Sequence, residues 1–256
     1  GIAVLRVKEL QPALDTIVPY FHDYPARKMR VVGITGTNGK TTTSYLTRAI
    51  LRHAGYKVGL IGTIQIMIED EVLPIHNTTP DVVELQNTLA RMRDAGMDYV
   101  VMEVSSHALD QNRVAGIEFD TAVFTNLTQD HLDYHGSMAD YWLAKRALFD
   151  WPGLQAAVIN VDDQFGRELA SRCTAGQVIT YGLEHGDVRP MAVHASLEGL
   201  AMELATDDEL AASLSAFLHL RPDRGPVWLF AYGSLIWRPE CTAVERVRGR
   251  VHGYHR

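Results

Sequence analysis

Along this chain, short runs rich in valine, isoleucine and other apolar residues alternate with longer stretches whose apolar positions recur every three or four residues. That alternation predicts strands and helices in turn, the signature of a parallel sheet with helices on its faces. Strands are expected at about 31–35, 58–62, 98–104, 121–125, 156–160 and 177–181. Lys40 to Ala54 reads as a helix ending at Gly55, which can take the left-handed C-cap. Residues 64–73 read as a hairpin turning at Asp70. Thr79 and Pro80 predict an N-cap with proline at the first helical position, and Val82, Leu85, Leu89 and Met92 then share a face up to Gly96. Ser137 and Asp140 predict a capping box for a helix that carries Lys145 and runs through Phe149. The fold class is α/β, a mostly parallel sheet of about six or more strands with flanking helices and a P-loop, plus a short appended β segment.

The two ends depart from this rhythm. Residues 1–28 carry an apolar pattern broken by Pro12, Pro19 and Pro25, which suits a short helix between extended pieces. After a polar, hairpin-like stretch at 188–205, Thr206-Asp207-Asp208-Glu209 opens a helix expected to reach about Leu220. Pro222 to Pro226 then reads as a linker, and Val227 to Trp237 as a new strand. Arg246, Arg248 and Arg250 alternate, as on the solvated face of a strand. The expected division is a lead-in at 1–28, a sheet domain at 29–205 and a separate segment at 207–256.

Composition changes this picture mainly by exclusion. With 256 residues, 46% of them hydrophobic, the chain can bury a substantial core. A net charge of -7 argues against broad attraction to nucleic acid, so any phosphate must be met by a local site. No run approaches the roughly 18 apolar residues that a membrane helix needs, and the opening residues lack a signal peptide's layout. Cys173 and Cys241 lie far apart, outside any disulfide framework or metal spacing, and fit a reducing compartment. A cytoplasmic monomer without nucleic-acid or membrane partners is the expectation. Because the chain opens on Gly1 with no initiator methionine, it is also expected to begin mid-gene.

Candidate chemistry is densest in Val31-Val32-Gly33-Ile34-Thr35-Gly36-Thr37-Asn38-Gly39-Lys40-Thr41-Thr42-Thr43. A β-branched run, a glycine turn and a lysine opening a helix make a phosphate cradle. Gly36 and Gly39 let the backbone approach an anion, and the helix N-terminus adds its positive dipole end. Lys40 offers a cation to terminal phosphates, and Thr41 a hydroxyl to the magnesium that accompanies a nucleotide. The generic nucleotide-loop pattern wants glycine six positions before the lysine, where this chain has Ile34.

Glu103 ends the apolar run Tyr99-Val100-Val101-Met102, so a doubly buried strand delivers a carboxylate to the rim where the loop sits. Such an acid suits a magnesium ligand or simply faces solvent. Thr125 to His135 follows the next strand, and with two aspartates and two histidines it reads, taken alone, more readily as a solvated loop than as a metal site. Lys145 reads as a surface lysine of an amphipathic helix; as an ammonium it would repel magnesium.

The string TGTNGKTTT resembles the ATP loop of the Mur ligases, which add amino acids to the peptidoglycan precursor. MEVSSHAL around Glu103 and TNLTQDHLDYH from Thr125 also match that family, most closely its UDP-N-acetylmuramoyl-tripeptide synthetases, and the likeness covers about residues 1–205. The resemblance implies ATP held by Gly36, Thr37, Asn38, Gly39, Lys40, Thr41 and Thr42, with Asn126 near the nucleotide. It implies magnesium at Thr41, Glu103 and His131, and at Lys145 once carbamylation has turned that cation into an anion. Lys40, Lys145 and His131 would be the catalytic set. Thr78, Thr79, Ser105, Gln111 and Arg113 match positions that contact the UDP-muramyl dipeptide, to which diaminopimelate or lysine is added through an acyl phosphate; Thr79 reads equally as a helix cap. The family's uridine-binding and amino-acid-selecting domains flank this region and are expected to be missing here.

FAYGSLIW near the end resembles the start of the ChaC-type gamma-glutamylcyclotransferases. That likeness implies a pocket for a gamma-glutamyl group, while the family's catalytic glutamate would lie beyond Arg256. On the residues alone the tail also reads as an edge strand. Three functions stay open: a Mur-type ligase core that is incomplete as it stands, an ATP-binding module without catalysis, and a cyclotransferase acting on glutathione.

Overall fold

The computed structural model describes residues 4, 6–75, 77–196 and 199–204. Its centre is β1 (Arg30–Thr35), buried at every position after Arg30. Because side chains alternate across a strand, Val31 enters one apolar layer with Met102 and Phe124, while Val32 and Ile34 enter the opposite one with Leu60 and Val101. A strand apolar on both faces must be covered on both faces, and helices do the covering.

The chain builds outward from β1. α2 (Lys40–His53), β2 (Val58–Ile61) and the hairpin of β3 (Ile66–Ile68) and β4 (Glu71–Leu73) come first, preceded by α1 (Leu10–Phe21) at the start. α3 (Val82–Asp94), β5 (Tyr99–Glu103), α4 (Ser106–Asp110) and β6 (Thr121–Phe124) follow. Then come α5 (Leu132–His135), α6 (Met138–Arg146), β7 (Ala156–Asn160), α7 (Gln164–Arg172) and β8 (Gln177–Tyr181). The strands form an eight-stranded sheet in the order β4-β3-β2-β5-β1-β6-β7-β8. From β2 to β8 along that order every pairing is parallel; β3 and β4 add an antiparallel edge. β9 (Pro190–Ser196) and β10 (Gly199–Leu204) pair with each other in a separate antiparallel ladder. The larger apolar layer holds Leu85, Leu89 and Met92 of α3, Tyr141 and Trp142 of α6, and Leu169 of α7. The smaller is closed by Leu51 and Tyr45 of α2.

Local signals explain most boundaries. Gly55, at φ 93, caps the end of α2, and the 64–73 hairpin turns through Glu69 at φ 53 beside Asp70. Ser137 accepts the Asp140 amide at 3.1 Å, although the Asp140 carboxylate takes the Ser137 hydroxyl and not a backbone amide. The helix it starts ends at Arg146, short of the expected Phe149.

Thr79 is not the cap of α3. Asp81 holds that place, accepting the amides of Val83 and Glu84 at 2.9 Å each, so Pro80 lies outside the helix. The Thr79 hydroxyl is committed elsewhere, to the backbone carbonyl of Glu103 at 2.9 Å. At the start, α1 runs through Pro19 and is followed by a 3-10 turn at Pro25–Lys28, where an extended piece was expected. Pro12 sits in the first turn, where no amide is needed, and Pro19 is buried against Gly116, so packing offsets its lost hydrogen bond. The features expected over 206–256, including Cys241 and the YGSL string, lie outside the described residues.

Leu89 is fully buried and Val83, on the same helix, is 48% exposed. Leu89→Ala is therefore expected to lower unfolding free energy by about 2–5 kcal/mol in urea titration, and Val83→Ala by less than about 0.5. Equal costs would place α3 wrongly against the sheet.

Candidate functional site

β1 lies between β5 and β6, and the chain builds one side of the sheet before it crosses to the other. Connections leaving the carboxyl ends of neighbouring strands diverge at such a point and leave a crevice. Thr35, Glu103 and Phe124 end the three strands there, and the 36–39 loop fills the crevice mouth.

That loop is clasped by the segment after β6. The amide of Thr37 donates to the Asn126 carbonyl at 2.8 Å, and the amide of Asn38 donates to Asn126 Oδ1 at 3.0 Å. Asn126 Nδ2 returns a bond to the Asn38 carbonyl at 3.0 Å, which also accepts the Thr125 hydroxyl at 2.6 Å. Gly36, at φ 146, lies so close to Thr125 that a Cβ would collide with the hydroxyl oxygen. Only glycine allows that approach. Gly39 takes φ 85 as the N-cap of α2, which has no side-chain cap, leaving the first-turn amides to whatever enters the crevice.

Two lysines converge behind the loop. Lys40 Nζ donates to the carbonyls of Gly36 and Thr37 at 2.7 and 2.8 Å, and Lys145 Nζ donates to the same Gly36 carbonyl at 2.9 Å. Burial holds Lys40 below the ordinary lysine range against the pull of Glu103 and Asp130. Lys145 is 1% exposed, with the Tyr141 ring face 4.6 Å from its nitrogen. Burial first, and the Lys40 charge second, bring it down to about 6, which favours the uncharged amine at neutral pH.

Glu103 is fully buried and accepts three hydrogen bonds on its carboxylate. Its Oε2 accepts the hydroxyls of Thr41 at 3.0 Å and Thr63 at 2.9 Å, and its Oε1 accepts the Thr63 amide at 2.9 Å. His131 stands at φ 52 as the N-cap of α5, its ring half exposed, 3.5 Å from Asp130 and edge-on to His107 at 5.0 Å between centroids. His135 meets the Ser106 hydroxyl at 2.9 Å.

A cavity of about 360 Å³ gathers residues 37–42 with Thr63, Thr78, Glu103, Ser105, His131 and Lys145. Its donors near Glu103 are oxygens, which suits a hard cation such as magnesium; among the described residues there is no group of three or more His, Cys, Asp or Glu set to hold a metal. Thr79, Gln111, Arg113 and Asn126 are not among the lining residues. Arg113 donates to the Thr79 carbonyl at 3.0 Å and forks onto Gln111 Oε1, and Gln111 donates to Tyr134. Sequence reasoning missed Thr63, Thr125 as the loop's anchor, and Tyr141, whose hydroxyl meets Thr37 Oγ1 at 3.1 Å. Thr63 carried one faint signal, a polar residue just past a strand and a glycine; Tyr141 carried another, one turn before Lys145.

The family model of the Mur ligase middle domain matches residues 34–217. The chain belongs to the Mur ligase family. A second family model, a ChaC-like protein, matches residues 227–256, outside the described residues. A UDP-N-acetylmuramoyl-L-alanyl-D-glutamate--2,6-diaminopimelate ligase of Chromobacterium violaceum is 50% identical over 204 residues, 79% of this chain and 41% of that protein. The same-named ligase of Bacillus velezensis is 44% identical over 213 residues, 80% of this chain and 43% of that one. This Mur ligase chain thus spans about two fifths of the relatives' length. A solved ligase of that name aligns with TM-score 0.66 and 30% identity, over 77% of this chain and 42% of the other. Mycobacterium tuberculosis folylpolyglutamate synthase, solved with ADP and AMPPCP, shares the fold at TM-score 0.57 and 19% identity, over 75% and 51%. Among the described residues no helix is long and apolar enough to cross a membrane, and Cys173 is a free thiol.

Lys145 makes the stability of this Mur ligase domain depend on pH. Its folded-state value near 6 lies below the ordinary 10.5, so between those limits the unfolded chain binds the extra proton and stability rises with pH. In bicarbonate-free buffer, Lys145→Met is expected to be more stable than the parent at about pH 7, with the gap narrowing toward about pH 9. Urea midpoints across that range read the difference; parallel curves would show that Lys145 is charged in the fold.

Proposed function

We propose that this chain is the ATP-binding core of a cytoplasmic ligase that adds the third residue to UDP-N-acetylmuramoyl dipeptide through an acyl phosphate. The observation carrying this reading is that the glycine loop, Glu103 and a dry Lys145 meet at one sheet crevice, in a domain half identical to a named diaminopimelate ligase. That name favours diaminopimelate over lysine as the incoming amine.

The residues present fit magnesium and ATP. A glycine-only approach at Gly36, an uncapped helix start and Lys40 match a triphosphate; Thr41 and Glu103 offer oxygen to a hard cation. When bound, magnesium-ATP supplies the phosphoryl group that activates the dipeptide's terminal carboxylate. Residues 37–42 would hold the phosphates in line, and Lys40, leaving its loop carbonyls, would offset charge on the transferring group. The neutral Lys145 amine is the form able to add carbon dioxide, forming an N–C bond as the nitrogen gives up a proton to solvent, and the resulting carbamate anion would face the cation with Glu103 and His131. Thr78 and Ser105, which line the cavity, would meet the muramyl substrate, with Arg113, held by Thr79 and Gln111, reaching it from outside the lining.

Calorimetry is expected to show magnesium-ATP binding by the 256-residue chain and none by Lys40→Ala, with the apo melting curve of the variant nearly unchanged. Labelled bicarbonate should give a carbamate signal in the carbon-13 spectrum of the nucleotide complex, absent from Lys145→Ala. For the ligase reading, residues 1–204 are grafted in place of the matched segment of the Chromobacterium violaceum relative. ATP-dependent tripeptide formation with diaminopimelate is expected, and a graft that folds and binds ATP without forming product would overturn it.

A further inference from the structure

Among the described residues, the Glu103 carboxylate is the one acidic group at the crevice that is fully buried, yet the residue holding both of its oxygens is exposed. Thr63 follows β2 by two positions, forty residues away from Glu103 in sequence. Its amide takes Oε1 and its hydroxyl takes Oε2, both at 2.9 Å, a two-point grip on a single side chain. Thr41 adds a third bond, to Oε2 at 3.0 Å. A carboxylate offers about four lone-pair directions, so these three donors leave one open. Gly62 completes the fit: a Cβ there would lie 2.6 Å from Oε1 and would push the carboxylate out of this grip.

A glutamate side chain has several rotatable bonds, and fixing it costs entropy that a ligand must otherwise supply. Thr63 removes that cost beforehand. Its hydroxyl proton can serve only one acceptor; the charged Glu103 oxygen at 2.9 Å wins over the Thr78 hydroxyl oxygen at 3.2 Å. The Thr63 hydroxyl thus stands between Thr78 Oγ1 and Glu103 Oε2, and Thr41 meets the same Glu103 oxygen from the nucleotide loop.

Resting on the site reading given above, we propose that Thr63 is a positioning residue that aims the open lone pair of Glu103 at a divalent cation beside the nucleotide loop. Its action is through Glu103, with no contact to the cation itself. Partners of this kind are worth about 10- to 100-fold in metal affinity.

Manganese is the probe, titrated into the ADP complex of the full chain and followed by electron paramagnetic resonance, with ADP affinity in chelator measured alongside. Thr63→Val keeps the shape and the amide and loses only the hydroxyl; at an exposed position it should fold as the parent does. Expected is an affinity for manganese lower by about 10- to 100-fold, unchanged metal-free ADP binding, and recovery in Thr63→Ser. Gly62→Ala, which displaces the carboxylate by bulk, should weaken manganese in the same direction. If Glu103→Gln loses manganese while Thr63→Val keeps parental affinity, the positioning role is wrong and the site reading stands. If Glu103→Gln also keeps it, the cation is not at Glu103 and both fall.

Discussion

Everything at the crevice depends on the clasp between the 36–39 loop and the segment after β6. A loop made to surround an anion has to point its amides inward, and such a backbone cannot stabilise itself through ordinary ladders. Here the Asn126 side chain gives Asn38 a donor and an acceptor at 3.0 Å each, and Thr125 adds a bond of 2.6 Å to the same residue. The loop therefore carries its shape before any ligand arrives, and the ordering cost falls on folding and not on binding. Gly36 is the condition for that, because any side chain there would meet Thr125.

The same clasp sets the electrostatics. Holding the loop inward turns the Gly36 carbonyl toward α6, where both Lys40 and Lys145 reach it. Two ammonium groups sharing one carbonyl in a dry site cannot both stay charged cheaply, and the penalty falls more heavily on Lys145, which burial and the Lys40 charge bring down to about 6. Both Glu103 and Asp130 compensate Lys40, whereas Lys145 has Asp130 alone and is walled by Tyr141. Depth thus separates the two lysines, and the division of labour proposed for them, a cation for phosphate and a nucleophilic amine, would follow from it.

How much of this was legible in the sequence depends on whether the deciding contact is local. The strand, turn and helix around Gly36 to Thr43 were readable because glycine, lysine and hydroxyl spacing within a dozen residues determines them, and the apolar face of α3 was readable from its period. The cap of α3 was not, since Thr79 and Asp81 are both good caps and the choice fell to a carbonyl twenty-four residues away that claimed the Thr79 hydroxyl. Periodicity likewise failed on α6, which buries Lys145 and leaves Leu143 53% exposed. No local pattern predicts that inversion; the polar loop it faces supplies it. The resemblance to the Mur ligases pointed to Lys145 where the helix pattern would have left it on the surface. Thr63 fell outside both kinds of signal, being neither in a recognised motif nor in a periodic face.

The residues of the crevice sit on segments far apart in the chain: the loop at 36–42, Thr63, Glu103, Asn126 and Lys145. Parallel pairing brings them together, since β2, β5, β1 and β6 end side by side with their carboxyl ends in register. Such pairings close long loops, and none of the site's contacts forms until most of the sheet has formed. Local opening at the crevice would break the Glu103 and Asn38 bonds together, because β1 carries the loop and pairs with the strands that deliver both partners. Binding at this site is therefore coupled to the stability of the central strands as a unit. A ligand that grips the loop stabilises the whole sheet, and a core substitution remote from the crevice weakens that ligand only through the folded fraction.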